Sequence, residues 1–374
     1  MSGDHLLEDS TAFSTARTGG ASTIRIALIR GDGIGPELMN SALEVLHAVA
    51  NRFDLVLALT DEQGGAATYA EHGEPLLPGA LERLRSDYDA ILKAPVGLPG
   101  VRRPDGTEGG LLGGVLRTGL QTYANIRPIR LLHGVRTPVT HPPGSIDYVL
   151  VRENTEGLYL SRGIGIVTES AACDQLLVTR DGCERVARAA FRIAQQRSGA
   201  PLDGVRRVTC VDKSNVLRTF AFFRAVVESV APEFPDVELD YRYADAAAHD
   251  LVADPGHFDV VLTENFLGDV LSDLGAATVG GLGMCGSGNI GDRAAYFEPI
   301  HGTAPAIAGQ GLANPTSQIL SAAYLLRHLG LEEPARRVES AVENAYADGE
   351  IVLLPSGQPK GGTRSVTAAV VTRI

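Results

Sequence analysis

The chain has 374 residues, 44 % of them hydrophobic, and a formal net charge of −12. That length allows two domains with sizeable cores, and an acidic balance without any Lys/Arg block excludes a nucleic-acid surface, whose phosphates need a clustered positive field. No apolar run approaches the roughly 20 residues that span a bilayer, and cysteines at 173, 183, 210 and 285 without zinc or redox spacing read as reduced thiols of a cytoplasmic protein.

Residues 1–23 are rich in Ser, Thr, Ala and Gly yet carry Asp4, Glu8 and Asp9 against one arginine, Arg17, which fits a flexible tail better than a signal or transit peptide. A strand over 23–29 follows, then Gly31-Asp32-Gly33-Ile34-Gly35-Pro36 and a helix over 37–51. This loop lacks the last glycine of G-x-G-x-x-G and is a poor dinucleotide fingerprint. A strand over 88–92 ends in Lys93-Ala94-Pro95-Val96-Gly97, and strand, turn and helix keep alternating, the α/β pattern of a mostly parallel sheet. Residues 99–114, rich in Gly, Pro and Arg, read as a loop near a functional mouth or a domain border.

Cationic residues then gather. Arg117 stands on a helix with Leu112, Val115 and Leu116, Arg127 lies in the run YANIRP, and Arg152 closes an apolar strand over 148–151. Three arginines near element ends can converge, and their planar forks grip carboxylates at two points; the alternative for each is a solvated pair with a surface acid. A helix over 180–196 and a strand over 205–211 lead to Asp212-Lys213-Ser214-Asn215-Val216, where a lysine at the end of a buried strand is a candidate for proton transfer. A helix over 219–230 and a strand over 237–243 come next, with Asp245 at the strand exit.

The segment 258–283, FDVVLTENFLGDVLSDLGAATVGGLG, runs from an apolar strand into a helix carrying Asp269 and Asp273 at i and i+4, on one face roughly 6 Å apart. Like charges so placed repel unless a cation sits between them, and bare carboxylates suit a hard ion, Mg²⁺ or Mn²⁺. The alternative is that Asp269 complements the helix dipole and Asp273 faces solvent. A second Gly-rich loop, FEPIHGTAPAIAGQGLANP, precedes a helix over 316–329.

The motifs GDGIGPE, YANIRP, VRENTEGLY, DKSNV, GDVLSD and EPIHGTAP, in this order over roughly residues 24–370, resemble the isocitrate/3-isopropylmalate dehydrogenase family of metal-dependent decarboxylating (2R)-malate dehydrogenases, which includes the tartrate/D-malate branch. The resemblance implies two α/β domains on a continuous mixed sheet, a discontinuous large one (24–122 with 280–374) and a small one (123–279), and a homodimer with shared active sites. It implies a metal held by Asp269 and Asp273 of one chain and Asp245 of the other, with Tyr159 and Lys213 as acid/base residues. Arg117, Arg127 and Arg152 would hold the malate carboxylates. The cofactor, NAD with NADP possible, would rest on a non-Rossmann site made of Glu298, His301, Gly302, Ala304, Ala306, Asn314 and Asn215. Ala306-Ile307 stand where NADP users tend to carry Lys-Tyr. On this reading Asp269→Asn removes a ligand yet spares the fold, because it relieves like-charge repulsion.

The substrate's C3 group would meet 108–117, EGGLLGGVLR. Leu111 and Gly113 stand where isocitrate users place Ser and Asn, which disfavours isocitrate and leaves isopropylmalate, D-malate, tartrate or a specialised analogue such as a phosphonate. The two Gly-Gly pairs expose backbone N–H groups that, with Arg102 and Arg103, could cradle a bulky anion, or they only loosen the loop. Isocitrate or homoisocitrate oxidation, oxidation without CO₂ loss, and a non-catalytic regulatory subunit are the remaining alternatives.

Overall fold

The computed structural model describes residues 23–374 except 105; the tail expected over 1–23 lies, Thr23 aside, outside the described residues. The chain folds as an α/β protein around one ten-stranded mixed sheet. Its strands are β1 (Ile24–Ile29), β2 (Leu57–Asp61), β3 (Ala90–Lys93), β4 (Ala124–Arg130), β5 (Asp147–Glu153), β8 (Arg207–Asp212), β9 (Glu238–Tyr243), β10 (Val260–Thr263), β11 (Gly286–Ile290) and β12 (Ala295–Pro299), while β6 (Ile166–Val167) and β7 (Ala172–Cys173) form a separate exposed arm. The order is β2-β1-β3-β12-β11-β4-β5-β10-β8-β9. Both flanks pair in parallel, and the centre, β12-β11-β4-β5, is antiparallel.

Helices cover both faces of the sheet, so β3 (AILK) and β10 (VVLT) are wholly buried and apolar up to their last residue. The edge strand β9, ELDYRY, is half exposed and charged, which discourages pairing with another chain. The helix Arg180–Gln196 starts as the sequence signals: the Thr179 hydroxyl accepts from Gly182 N–H at 3.0 Å. Among the described residues no helix is long and apolar enough to cross a membrane.

Two strands start two residues later than expected. The strand expected from 205 begins at Arg207, because Val205 N–H turns to Asp203 Oδ1 (3.0 Å) and its carbonyl accepts from Ala200. The strand expected from 88 begins at Ala90, because the Tyr88 hydroxyl is drawn to Glu62 Oε1 at 2.7 Å.

Strand pairing places the central polar residues in one row. Asn125 pairs with Arg152 on one side and Asn289 on the other, Asn289 with Tyr296, and Tyr296 with Ile91. Alternation along each strand then puts Arg127, Glu298 and Lys93 on the same face as these. The intervening residues Ile126, Gly288 and Phe297 line a separate cleft of about 350 Å³ on the opposite face.

Candidate active site

Arg152 is 1 % exposed. Its Nε and Nη2 donate to Asn265 Oδ1 at 2.9 and 2.7 Å, and its Nη1 pairs with Asp269. The Asn265 amide is itself fixed, donating to Glu156 O at 2.7 Å. All this depends on the helix Asn265–Thr278 lying close on β5, which its sequence permits. Glu264 caps the first turn, accepting from the backbone N–H of Phe266 and Leu267. At Gly268 a Cβ would stand 2.3 Å from Thr263 Oγ1 and 2.6 Å from Arg152 Cγ. Gly268→Ala should therefore push Arg152 off its partners, lowering stability by about 1–3 kcal/mol in thermal denaturation and weakening carboxylate binding about tenfold. Unchanged melting and affinity would show that the helix yields freely.

Arg127 is 5 % exposed. It donates to Asn125 Oδ1 (2.6 Å) and Ser272 Oγ (2.5 Å), and lies 3.6 Å from both Asp269 and Asp273. The cation expected between the two aspartates is thus partly supplied by the chain itself. Arg117, on the helix Gly113–Gly119, has a buried Nε with no hydrogen-bond partner. Tyr159 donates to Asp269 Oδ2 at 2.7 Å, with the Arg152 guanidinium 5.6 Å from its ring centre.

Charge crowding shapes the ionisation. Burial, then repulsion from Arg117 and Arg127, brings Arg152 down to about 9. For Asp269 the upward push of burial is outweighed by Arg152 and Arg127, which hold the carboxyl below its usual range. Asp273 goes the other way, raised by burial and by Asp269 despite Arg127. Burial and the hydrogen bond to Asp269 raise the Tyr159 phenol, which therefore stays protonated through neutral pH.

Lys213 and Asp245 stand apart from this group. They pair with each other at 2.7 Å, with side chains 31 % and 73 % exposed. Lys213 follows β8, two strands from Arg152, or roughly 10 Å across the sheet. Within one chain it keeps partial solvent access and lies 5.9 Å from the Tyr243 ring centre. Asn215, in the same turn, is exposed. Among the described residues no three His, Cys, Asp or Glu side chains form a metal cluster, so the chain assembles two of the three expected ligands. These two fit a hard ion: their donors are carboxylate oxygens, and Asp273, 54 % exposed and raised by burial and by Asp269, has a charged form that an added cation would stabilise.

On the other side of the row, Lys93 pairs with Glu298, whose Oε1 also accepts from Asn289 (3.2 Å). The loop beyond Glu298 is an open shelf. Gly302 has open space where a side chain would be, Ala304 holds φ 37°, and Ala306 is exposed. His301 is fixed beneath by Ser317 Oγ (2.9 Å), and burial lowers its pKa. Asn314 does not point into the shelf: its Oδ1 accepts from Thr316 N–H and its Nδ2 donates to Tyr346 Oη. The first glycine loop is closed by protein. A Cβ on Gly31 would meet Pro95 O at 2.0 Å, one on Gly33 would meet Thr303 O at 2.2 Å, and Asp32 accepts from the N–H groups of Ala66, Ala67 and Gly97.

The segment 108–117 corrects the anion-cradle expectation. A Cβ on Gly109 would clash with the Tyr69 ring at 2.6 Å and one on Gly110 with Ala66 Cα at 2.2 Å, so the first pair serves packing. Arg102 donates to Pro99 O and Arg103 lies over Tyr69, which commits both elsewhere. Leu112 is buried with Leu116, Leu120 and Tyr296, and half-buried Leu111 approaches Gly97. Gly113 stands beside the Arg117 guanidinium, at 3.9 Å from a would-be Cβ.

Sequence reading passed over Lys93, Asn125, Asn265 and Ser272 as site residues. Reading 124–130 as a strand would have exposed Asn125, which shares a face with Arg127; Lys93 shows only as a charge ending a buried strand.

The sequence matches the family profile "Isocitrate/isopropylmalate dehydrogenase" over residues 25–353. It is 46 % identical over 357 residues to a 3-isopropylmalate dehydrogenase of Frankia casuarinae, covering 92 % of this chain and 100 % of that one. With one of Corynebacterium glutamicum it shares 44 % over 326 residues, 85 % and 92 % of the two chains. The fold superposes on the crystal structure of isocitrate dehydrogenase from Methylococcus capsulatus with a TM-score of 0.81 at 37 % identity, covering 94 % of this chain and 99 % of that chain. Agreement of this extent, in sequence and in fold alike, makes the protein a member of the isocitrate/isopropylmalate dehydrogenase family.

Proposed function

We propose that the protein catalyses the metal- and NAD(P)-dependent oxidative decarboxylation of a 3-substituted (2R)-malate to a 2-oxo acid and CO₂. The observation that carries this reading is the arginine cluster: two buried guanidiniums share the aspartates, and a third, Arg117, has a buried Nε without a partner. Such an excess of fixed positive charge fits a dicarboxylate. Arg117, Arg127 and Arg152 grip the malate carboxylates and fix C2 and C3.

A divalent ion held by Asp269 and Asp273, with Asp245 from a second copy, supplies Lewis-acid polarisation at the C2 oxygen when bound. Lys213, from the second copy, would take the C2 hydroxyl proton, and a bound nicotinamide cofactor would supply the hydride acceptor. The 2-oxo acid so formed carries a carboxylate β to its carbonyl and loses CO₂. Tyr159 then returns a proton to C3, with Asp269 aligning its hydroxyl. The shelf 298–314 would hold the nicotinamide cofactor, and Ala306-Ile307, without a Lys-Tyr pair, favours NAD weakly. The exposed arm supports a homodimer: Ile164, Ile166 and Val167 are 78 %, 63 % and 80 % exposed. The proposal includes the division into 24–122 with 280–374 and 123–279, with the site between them.

The test is a substrate panel with Mg²⁺ or Mn²⁺ and either cofactor. The expected result is metal-dependent NAD⁺ reduction with one CO₂ per NADH on a 3-substituted malate. A kcat/KM preference for NADP⁺ above about a hundredfold would overturn the NAD assignment. No reduction with any malate would leave the cluster as a metabolite-binding site, the regulatory reading.

A further inference from the structure

Arg162 is a cation that the reading above does not use. It follows the short turn Leu158–Ser161 that carries Tyr159, is exposed, and among the described residues forms no ion pair with any Asp or Glu. Its guanidinium lies 6.0 Å from the Tyr159 ring centre, and its Nη1 would be 3.3 Å from a Cβ on Gly114. A Cβ on Gly113, the neighbouring glycine, would come within van der Waals contact of the Arg117 head, at 3.9 Å. Between the Arg117 head and the Arg162 head there is therefore a stretch of helix without side chains. Any larger residue at 113 or 114 would fill that space or displace one of the guanidiniums.

From this we infer that Arg162 reads an anionic group on the C3 substituent of the substrate, the glycine pair giving that substituent its room. The inference rests on the malate reading of the arginine cluster. Arg117, Arg127 and Arg152 account for the two malate carboxylates, and Tyr159 marks C3, the carbon it protonates. Arg162 shares the Tyr159 ring with Arg152 yet has no carboxylate of its own. An exposed arginine whose Cζ stands near a phenol ring, with open backbone on the other side, suits a carboxylate or phosphonate extended from C3. A branched alkyl group would find little apolar surface there, because Leu112 is committed to the core and Leu111 leans on Gly97.

The experiment compares (2R)-malates carrying hydrogen, isopropyl, carboxymethyl, 2-carboxyethyl or phosphonomethyl at C3, with wild-type protein, Arg162→Leu and Arg162→Lys. Both kcat/KM and the calorimetric Kd without cofactor are measured. One of the anionic substituents should exceed isopropyl at least about tenfold in kcat/KM. Arg162→Leu should then lower kcat/KM for it about 50-fold more than for the isopropyl compound, with Arg162→Lys recovering part of the loss. Which of the three wins separates carboxylate from phosphonate and sets the length of the arm. Isopropyl as the best substrate with the ratio unmoved in Arg162→Leu would overturn the inference, as would an equal loss on every substrate, the mark of a merely structural role. Absence of turnover on every malate would instead defeat the dehydrogenase reading. The Kd series then decides on Arg162 alone: a preference for the anionic compounds abolished by Arg162→Leu supports it, and its absence overturns it.

Discussion

Asp269→Asn is expected to remove turnover and to loosen the fold at the same time, whereas Asp273→Asn should remove turnover alone. Loss of a charged ligand costs about 10²–10³-fold in kcat for either variant. The difference lies in their neighbours. Asp269 is the carboxylate partner of Arg152, which is 1 % exposed, and it also accepts from Tyr159. Its loss leaves a buried guanidinium beside two others without compensation, worth about 2 kcal/mol once the 38 % exposure of Asp269 is allowed for. Asp273 is raised in pKa and 54 % exposed, so its neutralisation should change stability by no more than about 0.5 kcal/mol. The earlier expectation that Asp269→Asn spares the fold is thus reversed: arginines outnumber the aspartates, so like-charge relief is not the governing effect. Thermal melts, Mn²⁺ titration calorimetry and steady-state kinetics check the pair. Near-normal activity of either variant after chelator treatment would defeat the metal assignment.

Lys213→Met and Tyr159→Phe should fail at different steps. Without Lys213 nothing takes the C2 hydroxyl proton, so kcat should fall about 10³-fold and show a full primary isotope effect with substrate deuterated at C2. Without the Tyr159 hydroxyl, hydride transfer survives and protonation at C3 becomes limiting. NADH should then appear in a burst, and the isotope effect on the steady state should vanish. Because Lys213 lies roughly 10 Å across the sheet from Arg152, the role proposed for it needs a second chain. Mixing Lys213→Met with Asp269→Asn subunits should restore a fraction of wild-type sites in the heterodimer. Equal and small effects of both substitutions, or no recovery on mixing, would dispose of the shared-site division of labour.

What the sequence determined by itself was the set of local signals. Apolar runs ending in charge marked β5, β8 and β10, and the amphipathic pattern of 180–196 gave the helix there to the residue. The i, i+4 aspartates fell on one helix face, and Arg117, Arg127 and Arg152 stood out because each closes or interrupts an apolar element. The tertiary structure decided how these pieces meet. β11, GSGNI, shows no strand signal because small residues are required there: a Cβ on Gly286 would stand 2.8 Å from Ser317 O and Ser321 N. With that strand hidden, the antiparallel centre that lines up Lys93, Glu298, Asn289, Asn125 and Arg152 could not be read. Nor could the partners of each charge. Arg127 between the aspartates, Arg103 over the Tyr69 ring, and Arg162 facing Gly114 are contacts set by long-range packing, and no local pattern along a chain encodes which arginine finds a carboxylate and which is left free.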